Sequence, residues 1–240
     1  MTDFAELWPG GPAFAQAPHA KLGTDSILLA DFVQPERARR GVDLGCASGI
    51  LCLLLLARAP KLTMTGLELQ PEAAELAREN LARNGWADRG EVIHGDIRAH
   101  RTLFAAGSFD LVVANPPYFP LNHGALPPDP DRATARGELC CSLEELCAAA
   151  AWLCRSGGSV CLVHKPERLA DLFCTLRANG IEPKRLRLVC NSIRSAPSLV
   201  LVEGRRGGRP GLSVEPVLFL RDESGGESEE ILRIYHKKQP

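Results

Sequence analysis

The chain has 240 residues, of which 45% are hydrophobic and 24% are charged, and its formal net charge is −1. This composition is typical of one folded domain and argues against wholesale disorder. The longest apolar run, residues 50–57, is far shorter than the ~20 residues that a membrane span needs. The net charge is unlike that of a generic nucleic-acid binder.

The cysteines and the N-terminus both indicate a cytoplasmic protein. The nine cysteines are an odd number and several fall in predicted helices and strands, which is typical of reduced, buried thiols. No Cys-x-x-Cys pair accompanies the adjacent Cys140 and Cys141, so the sequence predicts no metal site. Asp3 stands where an export signal would carry Lys or Arg, which predicts that the chain has no signal peptide.

Strand-like and helix-like segments alternate along the chain, which predicts a parallel sheet with helices on both faces. After a basic helix end at residues 35–40, the predicted strands are 41–44, 62–69, 91–96, 109–114 and 159–165. Two further strands, 186–190 and 198–203, are close enough in sequence to form an antiparallel pair. The predicted helices are 50–59, 71–84, 142–154 and 166–180, with a short apolar piece at 217–220 and a helix or strand at 231–235.

A glycine loop follows the first predicted strand. It reads Asp43-Leu-Gly-Cys-Ala-Ser-Gly49, which lacks the Gly-x-Gly-x-x-Gly spacing of a dinucleotide site. Glycine at this point lets the backbone approach a ligand closely. Because an acid at the strand tip would repel a pyrophosphate and suit a cationic amino-acid moiety, the loop indicates S-adenosyl-L-methionine. The predicted contacts in the loop are Asp43, Gly45, Cys46, Ala47 and Gly49.

Two more acids end the next two strands. Glu68, followed by Leu69, is expected to accept hydrogen bonds from both ribose hydroxyls. Asp96 is expected to accept from the adenine amino group, and Ile97 to pack on the adenine face. Each acid alone is as readily a turn or capping residue, but three acids at three successive strand ends are a stronger joint signal for S-adenosyl-L-methionine.

The fourth strand ends in Asn115-Pro116-Pro117-Tyr118. Two successive prolines remove two backbone donors and fix φ near −65° twice. The Asn115 amide and the Pro116 carbonyl would then hold a planar NH₂ group while its ring or amide plane stacks on Tyr118. Such a clamp favours a nitrogen lone pair aimed at the methyl group and stabilises the charge that develops on attack. The tetrapeptide therefore predicts an N-methyltransferase.

The remaining candidates for substrate binding are basic. A proline-containing loop, residues 121–136, follows the tetrapeptide, and its Arg132 and Arg136 are expected to contact an RNA backbone, as is Lys165. Basic clusters at residues 37–40, 184–187, 205–209 and 237–238 are read singly as solvated surface. If several converged on one face, they would form a phosphate-binding stripe.

These motifs together resemble the bacterial tRNA adenine-N6 methyltransferases that modify the adenosine 3′ of the valine anticodon. The likeness also includes residues 21–29, where Lys21, Gly23, Thr24 and Asp25 match a segment that covers the cofactor in that family. Further matches are Arg136-x-Glu138, residues 165–168 and residues 201–206, and the departure is Ala47, where many relatives have glycine. The resemblance covers most of the chain.

The resemblance implies a Rossmann-like class I methyltransferase, with a mostly parallel seven-stranded sheet, an antiparallel final strand and helices on both faces. It also implies N6-methylation of an adenine in RNA, with tRNA near the anticodon as the expected substrate. The expected division is one domain over 1–240, with a cofactor-covering segment (1–35), a core (36–206) and a C-terminal extension (207–240). The oligomeric state is not indicated.

Three alternatives stay open. A protein-glutamine methyltransferase of the release-factor type would use the same clamp on an amide nitrogen, but it carries an extra N-terminal helical bundle, for which about 40 residues ahead of the loop are too few. Another RNA base, such as the guanine N2 of ribosomal RNA, would also suit the clamp. A non-catalytic scaffold is the third alternative, although neither the cofactor loop nor the clamp is eroded.

Overall fold

The structure, a computed structural model, describes residues 4–16, 23–116 and 141–237. Its first two strands, β1 (Ala5–Glu6) and β2 (Ala13–Phe14), form a small antiparallel sheet of their own. The helices are α1 (Thr24–Phe32), α2 (Ile50–Arg58), α3 (Pro71–Arg83), α4 (His100–Leu103), α5 (Leu143–Leu153), α6 (Leu169–Ala178) and α7 (Glu229–Ile234).

A nine-stranded sheet forms the centre of the molecule. Its strands are β3 (Arg40–Leu44), β4 (Thr63–Glu68), β5 (Gly90–His94), β6 (Phe109–Ala114), β7 (Cys154–His164), β8 (Ile181–Cys190), β9 (Pro197–Arg206), β10 (Ser213–Val214) and β11 (Leu218–Phe219). The order is β10-β8-β9-β7-β6-β3-β4-β5, and β11 also pairs with β8. Only β9 runs antiparallel to its neighbours β7 and β8.

The predicted α/β architecture is confirmed. All seven predicted strands are present, and the predicted antiparallel pair is β8 with β9. The two additional strands, β10 and β11, are two residues each and pair parallel with the outer edge of β8. They were not predicted as strands because two residues carry no period-2 pattern.

Two predicted helix segments differ in detail. The basic segment expected to end a helix forms a single 3-10 turn, Pro35–Arg37. The helix expected to start at Pro166 begins with a 3-10 turn, Pro166–Arg168, before α6. Proline fits the first turn of either kind of helix because its missing N–H has no partner there.

Two hydrophobic clusters cover the two faces of the sheet. Helices α1, α2, α3 and α7 supply one cluster, and α5 and α6 supply the other. Helix α5 begins with the predicted capping box, in which Ser142 Oγ accepts from Glu145 N–H and Glu145 Oε2 accepts from Ser142 N–H at 2.7 Å. In the described part of the chain, no helix combines the length and apolarity that crossing a bilayer requires.

The described cysteines carry free thiols and are mostly buried, as predicted. Burial raises the pKa of the Cys46 and Cys52 thiols well above the ordinary value. These side chains therefore behave as small hydrophobic groups in the core. The three-part division of the chain at residues 35 and 206 stays a prediction.

Candidate active site

The carboxyl ends of β3, β4, β5 and β6 meet at one edge of the sheet, because these strands are parallel neighbours. Strand β3 leads into the glycine loop, β4 ends at Glu68, and β6 ends one residue before Asn115. In open α/β sheets the ligand crevice lies outside this edge. The fold therefore brings together the described site residues that the sequence places at these strand ends.

The glycine loop connects β3 to α2 through left-handed backbone positions. Gly45 has φ 79° and Gly49 has φ 83°, a region that glycine occupies without strain. A Cβ placed on Gly45 would meet no atom within 4 Å, so the loop borders open space there. A Cβ on Gly49 would lie 3.1 Å from the Ala77 Cβ, which shows how closely the start of α2 packs against α3.

Ala47 is also left-handed, with φ 46°, although it is not glycine. Its N–H donates to Glu68 Oε2 at 2.8 Å, and Gln70 N–H donates to Glu68 Oε1 at 2.9 Å. Glu68 thus joins the loop after β3 to the turn after β4. Alanine in this left-handed region carries backbone strain that glycine would avoid.

Asp43 is a residue of β3, and its side chain is completely buried against the first turns of α2. Its Oδ2 accepts from Cys52 Sγ at 3.9 Å, whereas its Oδ1 has no hydrogen-bond partner among the described residues. Burial, followed by the neighbouring charge of Glu68, raises the pKa of Asp43 to about 8. The carboxyl group is therefore mostly protonated at neutral pH, and a nearby cation would favour its ionised form.

Asp96 lies after β5, where the sequence places it, but Arg98 already occupies its carboxylate. Arg98 N–H and Nε donate to Oδ1 at 2.8 and 3.0 Å, and Nε also donates to Oδ2 at 2.8 Å. The hydrogen bond from Arg98 holds the pKa of Asp96 below its usual value. Any further donor must use the remaining lone pairs of Asp96 or displace Arg98.

Asn115 follows the last residue of β6, and its side chain is oriented by helix α1. Its Nδ2 donates to Ser26 Oγ at 2.9 Å, and Ser26 is buried. This bond uses the donor end of the Asn115 amide. Gly23 is the N-cap of α1, and Thr24 and Asp25 form its first turn beside Ser26.

Some of the remaining predicted residues lie in the part of the chain that the structure describes, and the others lie outside it. Leu69 accompanies Glu68, with its carbonyl 3.0 Å from His94 Nε2, and Ile97 packs against the α5 side of the core. Lys165 follows β7 at the same edge of the sheet, and its N–H donates to His164 Nδ1 at 2.8 Å. The residues that lie outside the described ranges are Lys21, Pro117, Tyr118, Arg132 and Arg136.

Sequence reasoning missed Ser26 and Asn80. Asn80 is completely buried on α3. Its Nδ2 donates to the Ala15 and Ser48 carbonyls at 2.8 Å, and its Oδ1 accepts from Ala15 N–H at 2.8 Å. It therefore ties the N-terminal segment to the glycine loop. The available signal was an amide placed on the apolar stripe of α3, three residues after Ala77.

Comparison with known proteins identifies the family. Residues 17–125 match the family described as methyltransferase small domain. A curated tRNA1(Val) (adenine(37)-N6)-methyltransferase from Tolumonas auensis is 35% identical over 217 residues, covering 89% of this chain and 87% of that protein. The chain belongs to the family of tRNA1(Val) (adenine(37)-N6)-methyltransferases. A second member, from Porphyromonas gingivalis, is 32% identical and is covered over 74% of its length.

Solved structures agree on the fold of this family member. A predicted O-methyltransferase from Agrobacterium tumefaciens superposes with a TM-score of 0.72 at 22% identity, covering 89% of this chain and 96% of that one. TrmN from Thermus thermophilus superposes with a TM-score of 0.53 at 18% identity, covering 75% of this chain and 48% of that one. The class I methyltransferase fold is therefore confirmed, and S-adenosyl-L-methionine is the methyl donor of this enzyme class.

Proposed function

We propose that this enzyme transfers a methyl group from S-adenosyl-L-methionine to the N6 amino group of an adenine in tRNA, near the anticodon, in the cytoplasm. The observation that carries the proposal is the orientation of Asn115 beside the glycine loop. The Ser26 hydroxyl accepts from Asn115 Nδ2 at 2.9 Å, and we assign Asn115 Oδ1 as the atom that accepts from the amino group of the substrate.

The described residues suit the methyl donor. Gly45 borders open space that a side chain at this position would reduce. A cationic ligand above the loop would favour the ionised form of the buried Asp43 carboxyl group. Since Asp43 is buried, its charge would act through the loop rather than by direct contact. Glu68, fixed by two backbone donors, is the acceptor for the ribose hydroxyls.

The bound donor supplies a methyl group already activated on a sulfonium. The protein therefore has to orient the acceptor nitrogen and stabilise its charge. Asn115 Oδ1 and the Pro116 carbonyl accept the two amino hydrogens, which favours a lone pair directed at the methyl. They also stabilise the positive charge that develops on nitrogen. Tyr118 stacks on the base, which must leave its own stack to enter the site.

The geometry modifies the predicted role of Asp96 in binding the adenine of the cofactor. Asp96 remains the candidate acceptor for the cofactor's adenine, with Ile97 against the adenine face. Because Arg98 already bonds both carboxylate oxygens of Asp96, we propose that Arg98 holds the carboxylate in place while Asp96 accepts from the adenine through its remaining lone pairs. The substrate contacts of Arg132, Arg136 and Lys165 stay predictions.

One experiment tests the proposal against its alternatives. The purified protein is incubated with labelled S-adenosyl-L-methionine and separate fractions of bacterial tRNA, rRNA and protein, and the modified residue is identified by mass spectrometry. We expect N6-methyladenosine in tRNA. Label in glutamine or in another base would replace the proposal with one of the alternatives, and the absence of cofactor binding in a calorimetric titration would favour a scaffold.

A further inference from the structure

Basic residues from distant parts of the sequence lie along the edge of the sheet opposite the candidate active site. Arg40 is the first residue of β3, and Arg206 is the last residue of the antiparallel strand β9. In the register of the sheet, Arg206 pairs with the first residue of β8, and Phe109 pairs with the first residue of β7. These strand ends therefore share one edge. Arg155, the second residue of β7, lies at the same edge, because β7 stands between β9 and β6 in the sheet.

A shallow cavity of about 480 Å³ opens at this edge. Arg155 and Arg206 line it, together with Trp152, Ser156 and Gly107. The guanidinium carbon of Arg101, on α4, lies 4.6 Å from the centroid of the Trp152 ring. We call this surface the arginine basin and define it by Arg101, Arg155 and Arg206.

The basin carries an excess of positive charge. Arg155 Nε donates to Asp110 Oδ1, so one carboxylate offsets one guanidinium. Arg206 donates instead to the Ala151 and Gly180 carbonyls, at 3.0 and 3.1 Å, which orient it without neutralising it. Within the described ranges, neither Arg101 nor Arg206 has a carboxylate at ion-pairing distance.

The other acids near this edge are already paired. Glu203 bonds Arg185 at 2.8 Å and lies 3.7 Å from Arg205, and Glu182 bonds Arg177 at 3.1 Å. Among the described residues, these pairs leave no carboxylate to balance the second and third guanidinium groups of the basin. A planar guanidinium with several donors is suited to a phosphate, which it can bind through two hydrogen bonds at once.

We propose that the arginine basin is a second contact site for the substrate RNA, which binds backbone phosphates of the stem outside the nucleotide that enters the active site. This rests on the proposed function. Strand β6 runs from the basin edge to Asn115 and has six residues, a length of about 17 Å. A stem a few base pairs long is enough to span that distance. A stem lying along α4 and α5 would therefore place phosphates at the basin.

The test measures RNA binding by a variant with two substitutions, Arg101→Glu and Arg155→Gln. Arg101 is exposed, and glutamine at position 155 keeps an amide donor for Asp110, so we expect the fold to be retained. The probe is a transcript of bacterial valine tRNA, titrated by fluorescence anisotropy at several salt concentrations. We expect about a tenfold weaker Kd at low salt and a log–log salt slope smaller by about two, as lost phosphate contacts require.

The matched control is Arg83→Glu. Arg83 is exposed on α3, which covers the other face of the sheet. This charge reversal should leave the affinity for tRNA and the salt slope close to those of the wild type. Equal binding of S-adenosyl-L-methionine by all three proteins would verify that each is folded.

The outcomes separate this proposal from the proposed function. Unchanged affinity and salt slope in the double variant, with a wild type that methylates the tRNA, would overturn the basin and leave the reaction intact. Weakened, less salt-dependent binding without any methyl transfer by the wild type would support the basin and overturn the reaction. A wild type that does not bind the transcript would overturn both.

Discussion

The Ser26 hydroxyl accepts a hydrogen bond from the Asn115 side-chain amide at 2.9 Å, across 89 positions of sequence. Ser26 lies on α1, over the cofactor side of the sheet, whereas Asn115 follows β6. The bond therefore couples the helix that the family resemblance places above the cofactor to the residue that is proposed to hold the acceptor. This contact is one that orients the Asn115 amide.

Replacing Ser26 with alanine should slow methyl transfer while leaving cofactor binding nearly unchanged. Without the hydroxyl, the Asn115 amide loses one orienting partner, and we expect kcat to fall about tenfold, which corresponds to about 1.4 kcal/mol in the barrier. Asn115→Ala should abolish turnover. Single-turnover kinetics and calorimetric titration with S-adenosyl-L-methionine measure the two effects.

Ser26→Thr keeps the hydroxyl and is the matched control, which should recover most of the lost rate. A Ser26→Ala variant with the wild-type kcat would show that Asn115 is oriented by other contacts. Normal turnover by Asn115→Ala would contradict the acceptor role itself.

Glycine at position 47 should stabilise the protein. Ala47 has φ 46°, and a left-handed conformation costs an L-residue other than glycine about 1–2 kcal/mol. Relief of this strain is partly offset by the larger entropy of glycine in the unfolded chain, so we expect a net gain of about 0.5 kcal/mol. Urea denaturation measures this gain, and the Ala47 N–H bond to Glu68 should persist.

The control is Ala57→Gly, at an exposed position near the end of α2. Glycine in a helix lowers stability by roughly 0.5–1 kcal/mol, so the two alanine-to-glycine changes should have opposite signs. A loss of stability in both variants would mean that the loop tolerates alanine without strain.

The sequence predicted the strand ends because apolar runs there stop at Gly or at a polar residue such as Glu68 or Asn115. It did not predict which side chains would meet across those ends. Asp96 illustrates the difference, because its position was correct but its bidentate partner Arg98 depends on the turn that follows β5. The Ser26 and Asn80 contacts were likewise hidden, since each links segments that only tertiary packing brings together. The short strands β10 and β11 depend on the exposed edge of β8 rather than on their own sequence.

Asp43 should make the stability of the cofactor-free protein fall as the pH rises from about 4 to about 8. Its pKa is raised from 3.8 to about 8, chiefly by burial and then by Glu68. The folded protein therefore holds a proton that the unfolded chain has lost, and its stability decreases through this window by up to about 1.4 kcal/mol per pH unit. Urea denaturation at a series of pH values measures the slope.

Binding of the cationic cofactor should release this proton. The affinity for S-adenosyl-L-methionine is then expected to increase with pH up to about 8, and calorimetry in buffers of different ionisation enthalpy should detect the release. Asp43→Asn should remove the slope and the proton release, whereas the exposed Asp88→Asn should change neither. Proton release that persists in Asp43→Asn would assign it to another group.

Asn80 and Asn84 offer a matched pair that separates stability from cofactor binding. Asn80 lies on α3 and Asn84 caps its C-terminus. Both bond the N-terminal segment: Asn84 Oδ1 accepts from Ala13 N–H and Asn80 Oδ1 accepts from Ala15 N–H, each at 2.8 Å. Only Asn80 also bonds the glycine loop, through the Ser48 carbonyl at 2.8 Å. Alanine at either position leaves backbone groups without their partners, which costs about 1–3 kcal/mol per buried group.

We therefore expect both Asn80→Ala and Asn84→Ala to lower the free energy of unfolding, with the larger loss at the completely buried Asn80. Only Asn80→Ala should also weaken S-adenosyl-L-methionine binding, because the loop between β3 and α2 loses its tie to α3. Urea denaturation and calorimetric titration of the two variants, side by side, distinguish the effects. Equal cofactor affinity in both would mean that Glu68 and the packing of Gly49 on Ala77 hold the loop without Asn80, since those contacts remain in either variant.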